Sequence, residues 1–135
     1  MNRSCIEITE ILIKSLSLDW DKTVRIYIDK ENLNEILEIL ERFKKKTRRI
    51  VYEMLSNSYN FDLYRTEYVS KKAFNITAMK LITKGQSYRI YCKEYFDEKL
   101  KIKRIVLIEI YQKKEFDKKL KNFIEKLGRY DYEFE

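Results

Sequence analysis

The chain of 135 residues contains no proline and only two glycines, so there are few places where its backbone can reverse tightly. One glycine, Gly85, stands in the dipeptide Lys84-Gly85 between FNITAMKLIT and QSYRIYCKEYF, two runs in which apolar and polar residues alternate. A two-residue hairpin loop needs a residue at positive φ. The spacing therefore predicts a hairpin with Thr83 facing Gln86 and, counting back along the ladder, Lys80 directly opposite Arg89 on one face. Arg89, Tyr91 and Lys93 continue that face, while Tyr88, Ile90 and Cys92 point the other way with Met79 and Leu81. A third run, KRIVLIEIYQKK (103–114), is apolar at successive positions 105–108, as in a central strand covered on both sides. Its register is open: the DEKL connection reads as four or five residues, and a slip of one exchanges every facing pair.

Upstream, CIEITEILI (5–13) and TVRIYID (23–29) read as strands that form an N-terminal hairpin around SLDWDK. In the following DKENLNEILEILERFKKK, Leu33, Ile36, Leu37, Leu40 and Phe43 recur at helical spacing, and Asn32 with Glu35 matches a capping box. A second helix carries Ile50, Val51, Met54 and Leu55 and ends near the SNSYN turn. After the meander, EFDKKLKNFIEKLG forms an amphipathic helix on Leu120, Phe123, Ile124 and Leu127, with Gly128 as its stop. The tail RYDYEFE alternates and reads as a returning edge strand. The expectation is an α+β fold in one domain, residues 1–135, built on an antiparallel sheet, with residues 1–22 as an N-terminal extension that adds a strand.

Charge is unevenly spread. Residues 1–41 hold five Lys/Arg against nine Asp/Glu, whereas residues 42–135 hold 24 against 13. A basic second part suggests a polyanionic partner, nucleic acid before an acidic protein, although lysine-rich composition alone produces the same sum. Two cysteines and no histidine provide neither a disulfide framework nor a common zinc set, so neither a metal nor a small-molecule cofactor is expected. No apolar run approaches a signal peptide or a membrane span, and the expected compartment is the cytoplasm.

Three groups of residues carry candidate chemistry. Lys80 and Arg89, with Lys113 and Lys114 at the end of the neighbouring strand, would aim cations at a phosphodiester; charge builds on its non-bridging oxygens as phosphorus becomes five-coordinate. Arginine adds a planar fork that fits a phosphate. The same residues on the open face of a half-covered sheet would be ordinary solvated cations. Eleven tyrosines form the second group: Tyr91, Tyr111, Tyr130 and Tyr132 lie in or near the cationic elements, where bases of single-stranded RNA stack on rings while phosphates meet lysines such as Lys93. The third is RFKKKTRR (42–49), in which Lys44, Lys45, Lys46, Arg48 and Arg49 form a solvated helix face or a phosphate-binding rim. Without histidine, proton transfer falls to lysine, tyrosine or a carboxylate.

The order of these elements, with AMKLITKGQSYRIYCKEYF followed by KRIVLIEIYQKK, resembles the RelE/ParE superfamily of toxins from bacterial type II toxin–antitoxin systems. The resemblance spans residues 23–135 and implies the RelE-like microbial RNase fold: a strand, two helices, a three-stranded meander and a C-terminal helix. It implies an endoribonuclease that cuts messenger RNA at the ribosome and is held inactive by a cognate antitoxin. By position, it assigns the catalytic arginine to Arg89, a meander lysine to Lys80, the basic residue ending the third strand to Lys113 or Lys114, and the C-terminal tyrosine to Tyr130 or Tyr132. Members of the ParE branch poison DNA gyrase instead, and a non-catalytic module binding RNA or an acidic protein is the third reading.

Overall fold

The computed structural model describes residues 2–67, 71, 75–83, 85–112 and 118–134. In chain order these form β1 (Asn2–Arg3), β2 (Cys5–Glu7), α1 (Thr9–Leu16), β3 (Val24–Asp29), α2 (Leu33–Arg42), α3 (Lys44–Leu55), β4 (Tyr64–Thr66), β5 (Ile76–Thr83), β6 (Gln86–Asp97), β7 (Ile102–Gln112), α4 (Lys118–Gly128) and β8 (Asp131–Tyr132). The class is α+β. Six strands make one sheet in the order β2-β3-β7-β6-β5-β4, and β1 pairs separately with β8.

The hairpin follows the Gly85 argument. Gly85 has φ +80°, Thr83 faces Gln86, and Lys80 faces Arg89. The connection between β6 and β7 spans residues 98–101, with Asp97 paired to Ile102 and Lys101 at φ 56°. A bulge between Tyr91 and Cys92 shifts the β6–β7 register, so Tyr91 faces Glu109 while Cys92 faces Leu107. Lys84 lies outside the described residues, as do Lys113 and Lys114.

Both sheet faces are covered, which explains the unbroken apolar run of β7. On one side α2 and α3 bury Ile36, Leu40, Ile50 and Met54 against Met79, Leu81, Ile90, Ile105 and Leu107. On the other, α4 sets Leu120, Ile124 and Leu127 on Ile76, Ala78, Tyr91, Val106 and Ile108.

Several expectations are corrected. The sheet is mixed, because β3 runs parallel to β7: α2 and α3 carry the chain to the far edge of the sheet, and four successive antiparallel strands, β4 to β7, return the last of them beside β3. Residues 9–16 are helical, so no hairpin encloses SLDWDK. Ile8, Leu12 and Leu16 recur at helical spacing and are all buried, and Ser17 at φ 53° ends the helix by donating its N–H to the Ile13 and Lys14 carbonyls. Only Cys5–Glu7 remains extended, antiparallel to residues 27–29. The Asn32 side chain does not cap α2; its Nδ2 donates to the Ile108 carbonyl at 2.7 Å. The tail does not join the main sheet as an edge, because β8 pairs in parallel with β1.

Candidate functional site

Lys80 and Arg89 occupy one row across β5 and β6, continued on β7 by Tyr111. The next row along the same face runs Arg65, Ala78, Tyr91, Glu109. This face is not open: Lys80, Arg89 and Lys93 are 4%, 8% and 5% exposed. The cause is α4, whose apolar stripe packs onto this side of the sheet. A cation here must be compensated by protein groups or by a ligand.

Glu67, just beyond β4, supplies part of that compensation. Its Oε1 lies 3.2 Å from Arg89 Nη1 and 3.7 Å from Arg65 Nε. The carboxylate and the Arg89 guanidinium reach towards each other across the Ala78 row, where the side chain is only a methyl. Satisfaction is incomplete: Arg65 Nε, Arg89 Nε and Tyr91 Oη are buried without a hydrogen-bond partner. Burial, reinforced by the Glu67 charge and opposed by Arg89, pushes the Tyr91 phenol up to about 12, so it stays protonated at neutral pH. At the rim, the Phe61 ring is 68% exposed, with Arg65 Cζ 4.3 Å and Lys80 Nζ 4.4 Å from its centroid.

The other residues named from sequence divide between structural roles and a separate surface. Lys93 Nζ donates to the Gly128 carbonyl at 3.0 Å and the Tyr130 carbonyl at 2.6 Å, an ammonium at a helix C-terminus where the dipole favours a cation. Tyr130 is buried with Arg3 Cζ 4.3 Å over its ring. Tyr132 is buried too, and its phenol donates to Asp29 Oδ2 at 2.6 Å; burial and that carboxylate push it far above the usual phenol range. Asp29 also accepts from Arg3 Nε and Nη2 at 2.7 and 3.1 Å. The cations of 44–49 belong to α3, which packs on the opposite side of the sheet from Arg89. Lys44, Lys45 and Arg49 are exposed and Lys46 half-buried, while Arg48 Nε donates to the Leu16 carbonyl at 2.8 Å. They form a second basic surface, not a rim of the first.

Arg65, Glu67 and Phe61 were not singled out in the sequence. They lie in a segment without alternation, and only pairing of β4 with β5 brings them to the site. Cys92 is buried and its thiol pushed well up by that burial, which excludes a ready thiolate. Among the described residues, no group of three or more His, Cys, Asp or Glu is arranged to hold a metal ion.

No protein-family model matches the chain, and no solved structure matches it. The chain is 25% identical over 124 residues to ATP synthase subunit delta of Mycoplasma mycoides subsp. mycoides SC, an alignment covering 90% of this chain and 63% of that protein. Among the described residues, no helix is long and apolar enough to cross a membrane.

Proposed function

We propose that the chain is the toxin component of a toxin–antitoxin system: a RelE-like endoribonuclease that cuts messenger RNA on the ribosome and is silenced by its cognate antitoxin. The observation that carries this reading is the Lys80–Arg89 pair, held in register on two strands of a meander, with a third cation, Arg65, and an exposed ring, Phe61, at its edge. The order strand, two helices, short strand, three-stranded meander, helix in residues 24–128 also supports it, with β4 as an added edge strand.

In this reading a base stacks on Phe61, and the adjoining phosphate is drawn to Arg65 and Arg89. The ribose 2′-oxygen attacks phosphorus while Lys80, as its neutral amine, takes the proton; the P–O5′ bond breaks to leave a 2′,3′-cyclic phosphate and a 5′-oxygen that is protonated by water, and Arg89 stabilises the charge that develops on the non-bridging oxygens. No metal takes part. Rigid strands suit the task, since positioning and fixed charge supply most of the acceleration in phosphoryl chemistry. The test is cleavage of messenger RNA by purified protein with translating ribosomes. Arg89→Ala is expected to lower the rate about 10²-fold, the scale of losing one transition-state donor. Intact messenger RNA alongside inhibited DNA supercoiling would transfer the protein to the gyrase-directed branch.

A second reading rests on the exposed cations Lys44, Lys45 and Arg49 of α3 and on the likeness to a subunit of a larger assembly. It makes the chain a non-catalytic module that docks an acidic protein or RNA through that helix. Lys44→Glu/Lys45→Glu/Arg49→Glu would then abolish binding while Arg89→Ala leaves it intact; the catalytic reading requires the reverse for turnover.

A further inference from the structure

The unpaired donors beside Arg89 have a common geometry. One carboxylate oxygen, Glu67 Oε1, serves both Arg89 Nη1 at 3.2 Å and Arg65 Nε at 3.7 Å, the latter beyond hydrogen-bond reach. A guanidinium that meets its preferred oxyanion uses two parallel N–H groups. Here Arg89 uses one, and its buried Nε is left over, as are Arg65 Nε and the phenol oxygen of Tyr91. Each such group costs free energy while it remains unmatched, and native interiors hold few of them without a functional reason. Three in one place, around a single planar carboxylate with too few oxygens to reach them all, describe a site shaped for something larger.

A tetrahedral phosphate group is that larger occupant. It presents oxygens in several directions, so one can take the Arg89 Nη1 and Nε pair while others reach Arg65 Nε and the Tyr91 hydroxyl. We propose that Arg65, Arg89 and Tyr91 form a phosphate-binding site that Glu67 occupies in the free protein, so that the carboxylate acts as an internal competitor that a phosphate must displace. The Ala78 side chain between Arg65 and Tyr91 is only a methyl, so no bulky group separates them, and Phe61 stands exposed at the rim. Glu67 is then a brake on the site: it neutralises the guanidinium pair when no substrate is present and sets a threshold that weakly bound anions do not cross. The phosphate is a phosphodiester if the ribonuclease reading holds, but the exchange does not depend on that reading.

The test compares wild type, Glu67→Gln and the control Asp62→Asn, which removes one exposed charge from the neighbouring loop. Thermal unfolding is followed in sodium phosphate against sodium chloride of matched ionic strength and pH, and binding of a labelled single-stranded oligoribonucleotide by fluorescence anisotropy at fixed salt. Glu67→Gln is expected to gain a phosphate-specific rise in Tm that wild type shows weakly, and roughly tenfold tighter RNA binding; the added change Arg89→Gln removes both gains. Asp62→Asn gains neither. If Glu67→Gln does not fold, Glu67→Asp, which withdraws the carboxylate by one methylene, should show the same gains in smaller measure. Equal gains in Asp62→Asn, or no phosphate-specific effect in either Glu67 variant, would overturn the proposal. A gain with inorganic phosphate but none with RNA keeps the exchange and removes the RNA-cutting function from this site.

Discussion

Tyr132 distinguishes an active-site residue from a clamp. Its phenol, the Arg3 guanidinium and the Glu31 backbone N–H all donate to the carboxylate of Asp29, whose side chain is fully buried. Asp29→Ala removes the common acceptor of all three. It strands the guanidinium, which is then paired only with the exposed Glu31 carboxylate, and leaves the phenol without its acceptor. Removing one partner of a buried ion pair costs about 3–5 kcal/mol. For a chain of this length that corresponds to a fall in Tm of about 10–20 °C. Tyr132→Phe deletes one hydrogen bond to a charged acceptor, about 1.5 kcal/mol. Because both substitutions break the same contact, the double variant should be only slightly less stable than Asp29→Ala alone, a coupling of about 1–1.5 kcal/mol. Urea unfolding followed by near-ultraviolet circular dichroism reads all three. An Asp29→Ala loss below 1 kcal/mol, or additivity in the double variant, refutes the clamp. A Tyr132→Phe variant that keeps its stability while RNA turnover drops a hundredfold would return the residue to catalysis.

Further outcomes follow from the same geometry. Lys93→Met removes the donor shared by the Gly128 and Tyr130 carbonyls, so amide hydrogen exchange at residues 129–132 should speed about tenfold while the β5–β6 amides stay protected. Phe61→Ala should raise the KM for RNA severalfold with kcat little changed, consistent with about 1–3 kcal/mol for a base stacked on an aromatic ring. Alkaline stability follows from the Tyr91 phenol, held at about 12. The unfolded chain releases that proton near pH 10 and the folded one two units later, so the unfolded state binds fewer protons between those values and stability falls as pH rises, by up to about 1.4 kcal/mol per pH unit from this group. Tyr91→Phe should make that alkaline decline shallower, as read by urea midpoints at pH 9, 10 and 11.

Local signals carried the meander and the two central helices. Gly85 set the Lys80–Arg89 register because a positive-φ turn admits one pairing, and the α3 stripe Ile50, Val51, Met54, Leu55 is buried because its spacing leaves one apolar side. What the residues did not disclose was which sheet face α4 would cover. Its stripe of Leu120, Ile124 and Leu127 is equally compatible with either side, so a face of Lys80, Arg89 and Lys93 read as solvated when it is closed. Alternation tells which side chains share a side, but a cation facing water and a cation facing Glu67 leave the same trace. Residues 9–16 misled for a related reason: in CIEITEILI apolar residues satisfy both periods, and only burial of Leu12 and Leu16 chooses the helix. The fastening of both ends to Asp29 joins residues more than 100 positions apart, a separation that no local pattern records.

That last contact also gives the molecule a sense of time. Asn2 is matched with Asp131 and Arg3 with Tyr132, so β1 cannot find its pairing until residues 131 and 132 have been made. During synthesis Arg3 can meet Asp29 early, but the seam with β8 closes only after position 132 has left the exit tunnel.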